Sequence, residues 1–130
     1  MPGTRVLALV EDDASVRMAT RSLIRSMGFE VDVFASAEEF LRFGSPQETS
    51  CLVLDVHMPG MSGLQLQDHL AAAGYSIPVI FITGYADEKA RIRALQAGAL
   101  DFLVKPFCDE ALLNGIRSAL AFGEVGGESR

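Results

Sequence analysis

Five short apolar runs punctuate the chain: Val6–Val10, Val31–Phe34, Cys51–Leu54, Val79–Ile82 and Leu100–Val104. Most lack polar alternation, as do strands buried on both faces of a parallel sheet. Only Glu30-Val31-Asp32-Val33-Phe34 alternates, which suits an edge strand. Between the runs, apolar residues recur at helical spacing. One set is Val16, Ala19, Leu23, Ile24 and Met27; the others are Leu66 with Leu70, Ile92 with Leu95, and Leu112, Leu113, Ile116 and Leu120. Ser36 and Glu39 match a capping box ahead of Phe40 and Leu41. Gly28, Gly44, Gly74, Gly98 and Gly123 fall where a helix should stop, and each is predicted to take the left-handed position after a helix end. The alternation predicts an α/β fold: a parallel sheet covered on both faces and joined by right-handed crossovers. Periodicity alone leaves the strand order open. Residues 1–123 read as one domain, and Glu124–Arg130 as a flexible tail or the start of a linker.

Composition narrows the class. At 130 residues the chain needs no metal or disulfide to fold. Its 49% hydrophobic and 22% charged residues exclude a disordered chain. No apolar run approaches the roughly 20 residues that span a bilayer, and the opening does not read as a signal peptide. A formal charge of -6 leaves no basic footprint for nucleic acid. Cys51 and Cys108 lack metal-ligand spacing and read as reduced thiols of a cytoplasmic protein.

In an open parallel sheet, ligands bind at the carboxyl ends of the strands. The first run is followed there by Glu11, Asp12 and Asp13, the third by Asp55, the fourth by Thr83 and Gly84, the fifth by Lys105 and Pro106. Two unit charges about 4 Å apart repel by about 4 kcal/mol at an effective dielectric near 20. Converging carboxylates therefore need a retained proton or a cation. Oxygen ligands without a His or Cys cluster favour Mg²⁺ or Mn²⁺. A hard cation, an ammonium and a hydroxyl around a lone carboxylate suit phosphoryl transfer, with Asp55 as nucleophile. Taken singly, each residue has a plainer role. Asp13 suits a helix cap, Asp55 a turn before Met58-Pro59-Gly60, Lys105 a solvated charge and Phe102 the core. Only convergence overturns that for Asp12, Asp55, Thr83 and Lys105 as a set.

The segments Val10-Glu11-Asp12-Asp13, Leu54-Asp55-Val56-His57-Met58-Pro59-Gly60-Met61-Ser62-Gly63, Ile82-Thr83-Gly84 and Val104-Lys105-Pro106-Phe107 together resemble the signature of bacterial two-component response-regulator receiver domains. The likeness covers residues 4 to 122. Ser36-Ala37-Glu38-Glu39-Phe40-Leu41 and Ala97-Gly98-Ala99-Leu100-Asp101-Phe102 resemble receivers of the FixJ/NarL transcriptional kind. The resemblance implies a five-stranded flavodoxin-like fold of order 2-1-3-4-5, with Asp55 phosphorylated by a sensor histidine kinase. Counted back from Arg17, the family's acidic pair falls on Glu11 and Asp12. It implies Mg²⁺ held by Asp12, Asp55 and the backbone carbonyl of His57, with Glu11 acting through water. Thr83 and Lys105 would hold phosphoryl oxygens, Phe102 would rotate inward as Thr83 moves, and Lys105-Pro106 would be cis. It further implies dimerisation on phosphorylation and a DNA-binding output domain in a longer parent chain, the receiver itself touching neither DNA nor membrane. Glu11 stands where many members have Asp, and His57 and Tyr85 occupy variable places beside the site.

Three other functions compete. A Mg²⁺-dependent aspartyl-phosphate phosphatase of the haloacid-dehalogenase type keeps a second Asp two residues after its nucleophile, where this chain has His57. A flavin module wants bare N–H groups after the first strand, where three acids stand. An unphosphorylated docking module would not need the full set of acids, Thr83 and Lys105.

Overall fold

The computed structural model describes residues 6–128. Strands and helices alternate: β1 (Val6–Val10), α1 (Ala14–Ser26), β2 (Val31–Phe34), α2 (Ala37–Phe43), β3 (Thr49–Asp55), α3 (Gly63–Ala72), β4 (Val79–Thr83), α4 (Glu88–Gln96), β5 (Asp101–Val104) and α5 (Asp109–Glu128). One 3₁₀ turn, Pro46–Glu48, leads into β3. The strands form a single parallel sheet in the order β2-β1-β3-β4-β5. The alternating run, β2, lies at an edge, where only one side of the strand is paired.

Both sheet faces are packed, which is why most of the strands read as continuous apolar runs. Along β1, Leu7 and Leu9 turn to one face, with Ile24, Cys51, Val53, Ile80, Ile82, Leu112 and Ile116. Ala8 and Val10 turn to the other, with Phe40, Leu52, Leu54, Leu66, Leu70 and Phe81. Each large side chain so buried contributes roughly 1.5–3 kcal/mol. Cys51 lies in the first layer, where burial pushes its thiol up to about 12.

Helix starts follow their caps. Asp13, Ser36, Ser62 and Asp87 each accept a backbone N–H in the first turn of the helix that follows. Helix ends follow the glycines only in part. Gly28, Gly74 and Gly98 have φ of +96°, +92° and +105°, the left-handed stop expected of them. Gly44 does not: its φ is -83°, and its extended backbone leads toward the 3₁₀ turn instead. Gly123 is not a stop either, because α5 continues to Glu128. An interior glycine costs a helix only about 1 kcal/mol, which a long docked helix absorbs. The segment read as a tail is thus helical over 124–128; Ser129 and Arg130 lie outside the described residues, as do residues 1–5.

The apolar pair on α4 is the other departure. Ile92 and Leu95 are 44% and 37% exposed, and the residues α4 buries are Ala90 and Ala94. Two small side chains one turn apart let the helix lie close to its neighbours. The larger pair is left facing water.

Candidate functional site

Parallel strands all end on the same side, so the register of the sheet decides which side chains meet. Val10 pairs with Leu54, Asp55 with Ile82, and Thr83 with Val104. The residues that follow β1 and β5, and those that close β3 and β4, therefore share one rim. Carboxylate oxygens of Glu11, Asp12 and Asp55 all lie within 4.8 Å of one another there. Lys105 Nζ stands 3.5 Å from Glu11 Oε1. Thr83 is fully buried at the end of β4, and its Oγ1 accepts the Tyr85 N–H at 3.2 Å. The sheet has brought the set to one rim.

The acids differ in surroundings. Glu11 is 2% exposed and Asp55 8%, whereas Asp12 faces solvent. Glu11 is held hard: Oε2 accepts the Asp13 N–H at 3.1 Å, and the Glu11 carbonyl accepts Arg17 Nη1 at 2.9 Å. The same guanidinium reaches the Asp12 carbonyl at 3.4 Å, fixing the turn that leaves β1. The Asp13 side chain stands outside the carboxylate cluster and caps α1 by accepting the Val16 N–H at 3.0 Å. Burial pushes the Asp55 carboxyl up to about 7, and the charge and hydrogen bond of Glu11 add to it. Lys105 and the His57 backbone N–H work the other way without prevailing. The cluster thus carries more negative charge than its one ammonium balances. An all-oxygen donor set with an uncompensated buried acid fits a hard divalent cation.

The loop after Asp55 is shaped by a close approach. Gly63 donates to the Val56 carbonyl at 2.9 Å and lies so near the Asp55 carbonyl that any Cβ there would collide with backbone. Ser62 and Gln65 then complete a reciprocal capping box for α3. The His57 side chain is half-exposed, with Nε2 3.7 Å from Asp87 Oδ2 and its ring edge-on to Tyr85 at 5.3 Å between centroids. Asp87, which also caps α4 through Ala90 N–H, had no signal in the sequence beyond its capping position. Phe102 is half-buried on β5, its ring 6.0 Å from that of Phe81. Lys105-Pro106 is cis.

Three comparisons bear on these residues. A family model described as response regulator receiver domain matches residues 7–117. Nodulation protein W of Bradyrhizobium diazoefficiens is 49% identical over 114 residues, which are 88% of this chain and 50% of that protein. The transcriptional regulatory protein FixJ of Azorhizobium caulinodans is 40% identical over 120 residues, 92% of this chain and 57% of that protein. Among solved structures, response regulator StyR superposes with a TM-score of 0.89 at 44% identity, covering 98% of this chain and 65% of that one. The chain spans about half the length of the curated relatives it matches.

Proposed function

From the fact that this chain belongs to the response regulator receiver domains, we propose that it is a switch thrown by phosphorylation of Asp55. Receiver domains are regulatory, and relatives of this one are transcriptional response regulators. The donor would be the phosphohistidine of a sensor histidine kinase. An ionised Asp55 oxygen attacks phosphorus, the P–N bond breaks, and its electron pair returns to the departing imidazole. The observation that carries this is the gathering of the Glu11, Asp12 and Asp55 carboxylates within 4.8 Å, with Lys105 beside Glu11.

Asp12 and Asp55 would hold Mg²⁺, or Mn²⁺ in its place, together with the backbone carbonyl of His57; Glu11 would act through water. When bound, the cation neutralises charge on the phosphoryl oxygens and favours ionised Asp55. Lys105 would turn from Glu11 to a phosphoryl oxygen. Thr83 accepts the Tyr85 N–H, so its own hydroxyl hydrogen is left to donate to another. As Thr83 moves inward, Phe102 would take the vacated space and repack the face of α4, β5 and α5. That face would control an output, transcription by a DNA-binding domain of a longer chain, and pair two phosphorylated copies. Slow self-dephosphorylation is the most turnover expected, in the cytoplasm.

Intact mass with acetyl phosphate and Mg²⁺ tests the reading. One added phosphoryl group is expected on the wild type and none on Asp55→Asn; equal labelling of the variant refutes the assignment.

A further inference from the structure

We propose that Glu38, on α2, is a positioning residue for the phosphoacceptor loop, holding the Gly60–Met61 turn and through it the course of the loop that leaves Asp55. The inference rests on the reading of Asp55 as phosphoacceptor.

Helix α2 opens with adjacent glutamates that do different things. Glu39 serves its own helix end: its N–H donates to Ser36 Oγ at 3.0 Å, and its carboxylate accepts the Ala35 N–H. Capping is complete without Glu38. Glu38 instead reaches across to the loop between β3 and α3, where Oε2 accepts the Met61 N–H at 2.9 Å, 23 residues along the chain. The same oxygen stands 2.7 Å from where a Cβ at residue 60 would sit, and Gly60 has a φ of +75°. The loop thus offers this carboxylate a niche without a side chain and a backbone donor beside it.

What the niche controls follows from the loop's course. It leaves Asp55, passes His57, and returns to Gly63, which is tied to the Val56 carbonyl at 2.9 Å. The Gly63 end is fixed by its own backbone. The turn at Gly60 and Met61 is fixed from outside, by α2. Releasing it lets the loop beside Asp55 wander, and attack on phosphorus depends on such positioning. Glu38 itself is exposed, so its loss should leave global stability nearly intact.

The test compares wild type, Glu38→Ala and Glu38→Gln as the full chain. Hydrogen exchange reads the Met61 amide, and intact mass reads phosphoryl uptake from acetyl phosphate with Mg²⁺. Glu38→Ala should speed Met61 exchange and slow uptake, each by about three- to tenfold. Glu38→Gln keeps an acceptor and should return both toward wild type. A labelled wild type with an indifferent Glu38→Ala overturns this inference alone. So does a Glu38→Gln that takes up phosphoryl as slowly as Glu38→Ala, since charge rather than the hydrogen bond would then be at work. A wild type that takes up no phosphoryl group overturns the phosphoacceptor reading and this inference with it.

Discussion

As the proposed phosphoacceptor, Asp55 would carry opposing demands: it would have to be ionised to attack phosphorus, yet burial and Glu11 hold its carboxyl near 7 instead of the ordinary 3.8. An acid whose pKa is raised by folding binds its proton more tightly in the folded state than in the unfolded one. Without metal, stability should therefore fall as pH rises from about 4 to about 7, and level off above. A divalent cation stabilises the ionised form, so Mg²⁺ should raise Tm more at about pH 8 than at about pH 5. Thermal melts of wild type and Asp55→Asn with and without Mg²⁺ check this; a wild-type Mg²⁺ shift independent of pH would contradict it. Gly63 sets a second condition at this scale. A methyl at residue 63 would meet the Asp55 carbonyl, which cannot yield as a flexible side chain could. Gly63→Ala should cost roughly 1–3 kcal/mol in a denaturant titration and slow phosphoryl uptake as well.

The strands were legible because a doubly buried strand writes an uninterrupted apolar run, and β1 and β4 begin where their runs do, as β2 does at the start of its alternating one. The rim was legible for a related reason: residues just past such runs must lie together once the strands are parallel. Helices were less plain. On α4 a two-residue apolar signature, Ile92 and Leu95, competes with Ala90 and Ala94, and spacing cannot say which pair faces inward. Glycine gave a stop at Gly28, Gly74 and Gly98 but not at Gly123, since the residue permits the left-handed turn without compelling it. The reach of Glu38 to Met61 left no trace, because nothing local links residues 23 apart. Capping, by contrast, is local and readable. Asp13→Ala should destabilise the chain by about 1 kcal/mol in denaturant titration. Because the Asp13 carboxylate stands outside the cluster and the variant keeps the N–H that Glu11 accepts, phosphoryl uptake should stay close to wild type; a collapse of uptake would mean that the Asp13 side chain belongs to the site.

At the scale of the whole molecule, a switch of the proposed kind needs something with two arrangements between the rim that gathers charge and the surface that would change. The candidate connection is short: Thr83 closes β4, Val104 pairs with it on β5, and Phe102 lies two residues back on that strand. Beyond them α4 is anchored through Ala90 and Ala94 and turns Ile92 and Leu95 outward, so apolar surface stands ready to be covered in another arrangement. Moving a two-state equilibrium from 1:99 to 99:1 takes about 5.5 kcal/mol. Hydrogen bonds to a charged group contribute about 1.5–3 kcal/mol each, so Thr83 and Lys105 together could supply most of that from a phosphoryl group on Asp55. Neither alone suffices. Thr83→Ala should therefore still accept phosphoryl on Asp55 but leave the equilibrium largely unmoved. Hydrogen exchange over residues 88–104, measured with acetyl phosphate and Mg²⁺, should change in the phosphorylated wild type and scarcely in phosphorylated Thr83→Ala. If the variant, phosphorylated to the same extent by mass, shows the full wild-type change, the coupling does not run through the Thr83 hydroxyl and the charge at Asp55 must act on α4 by another route.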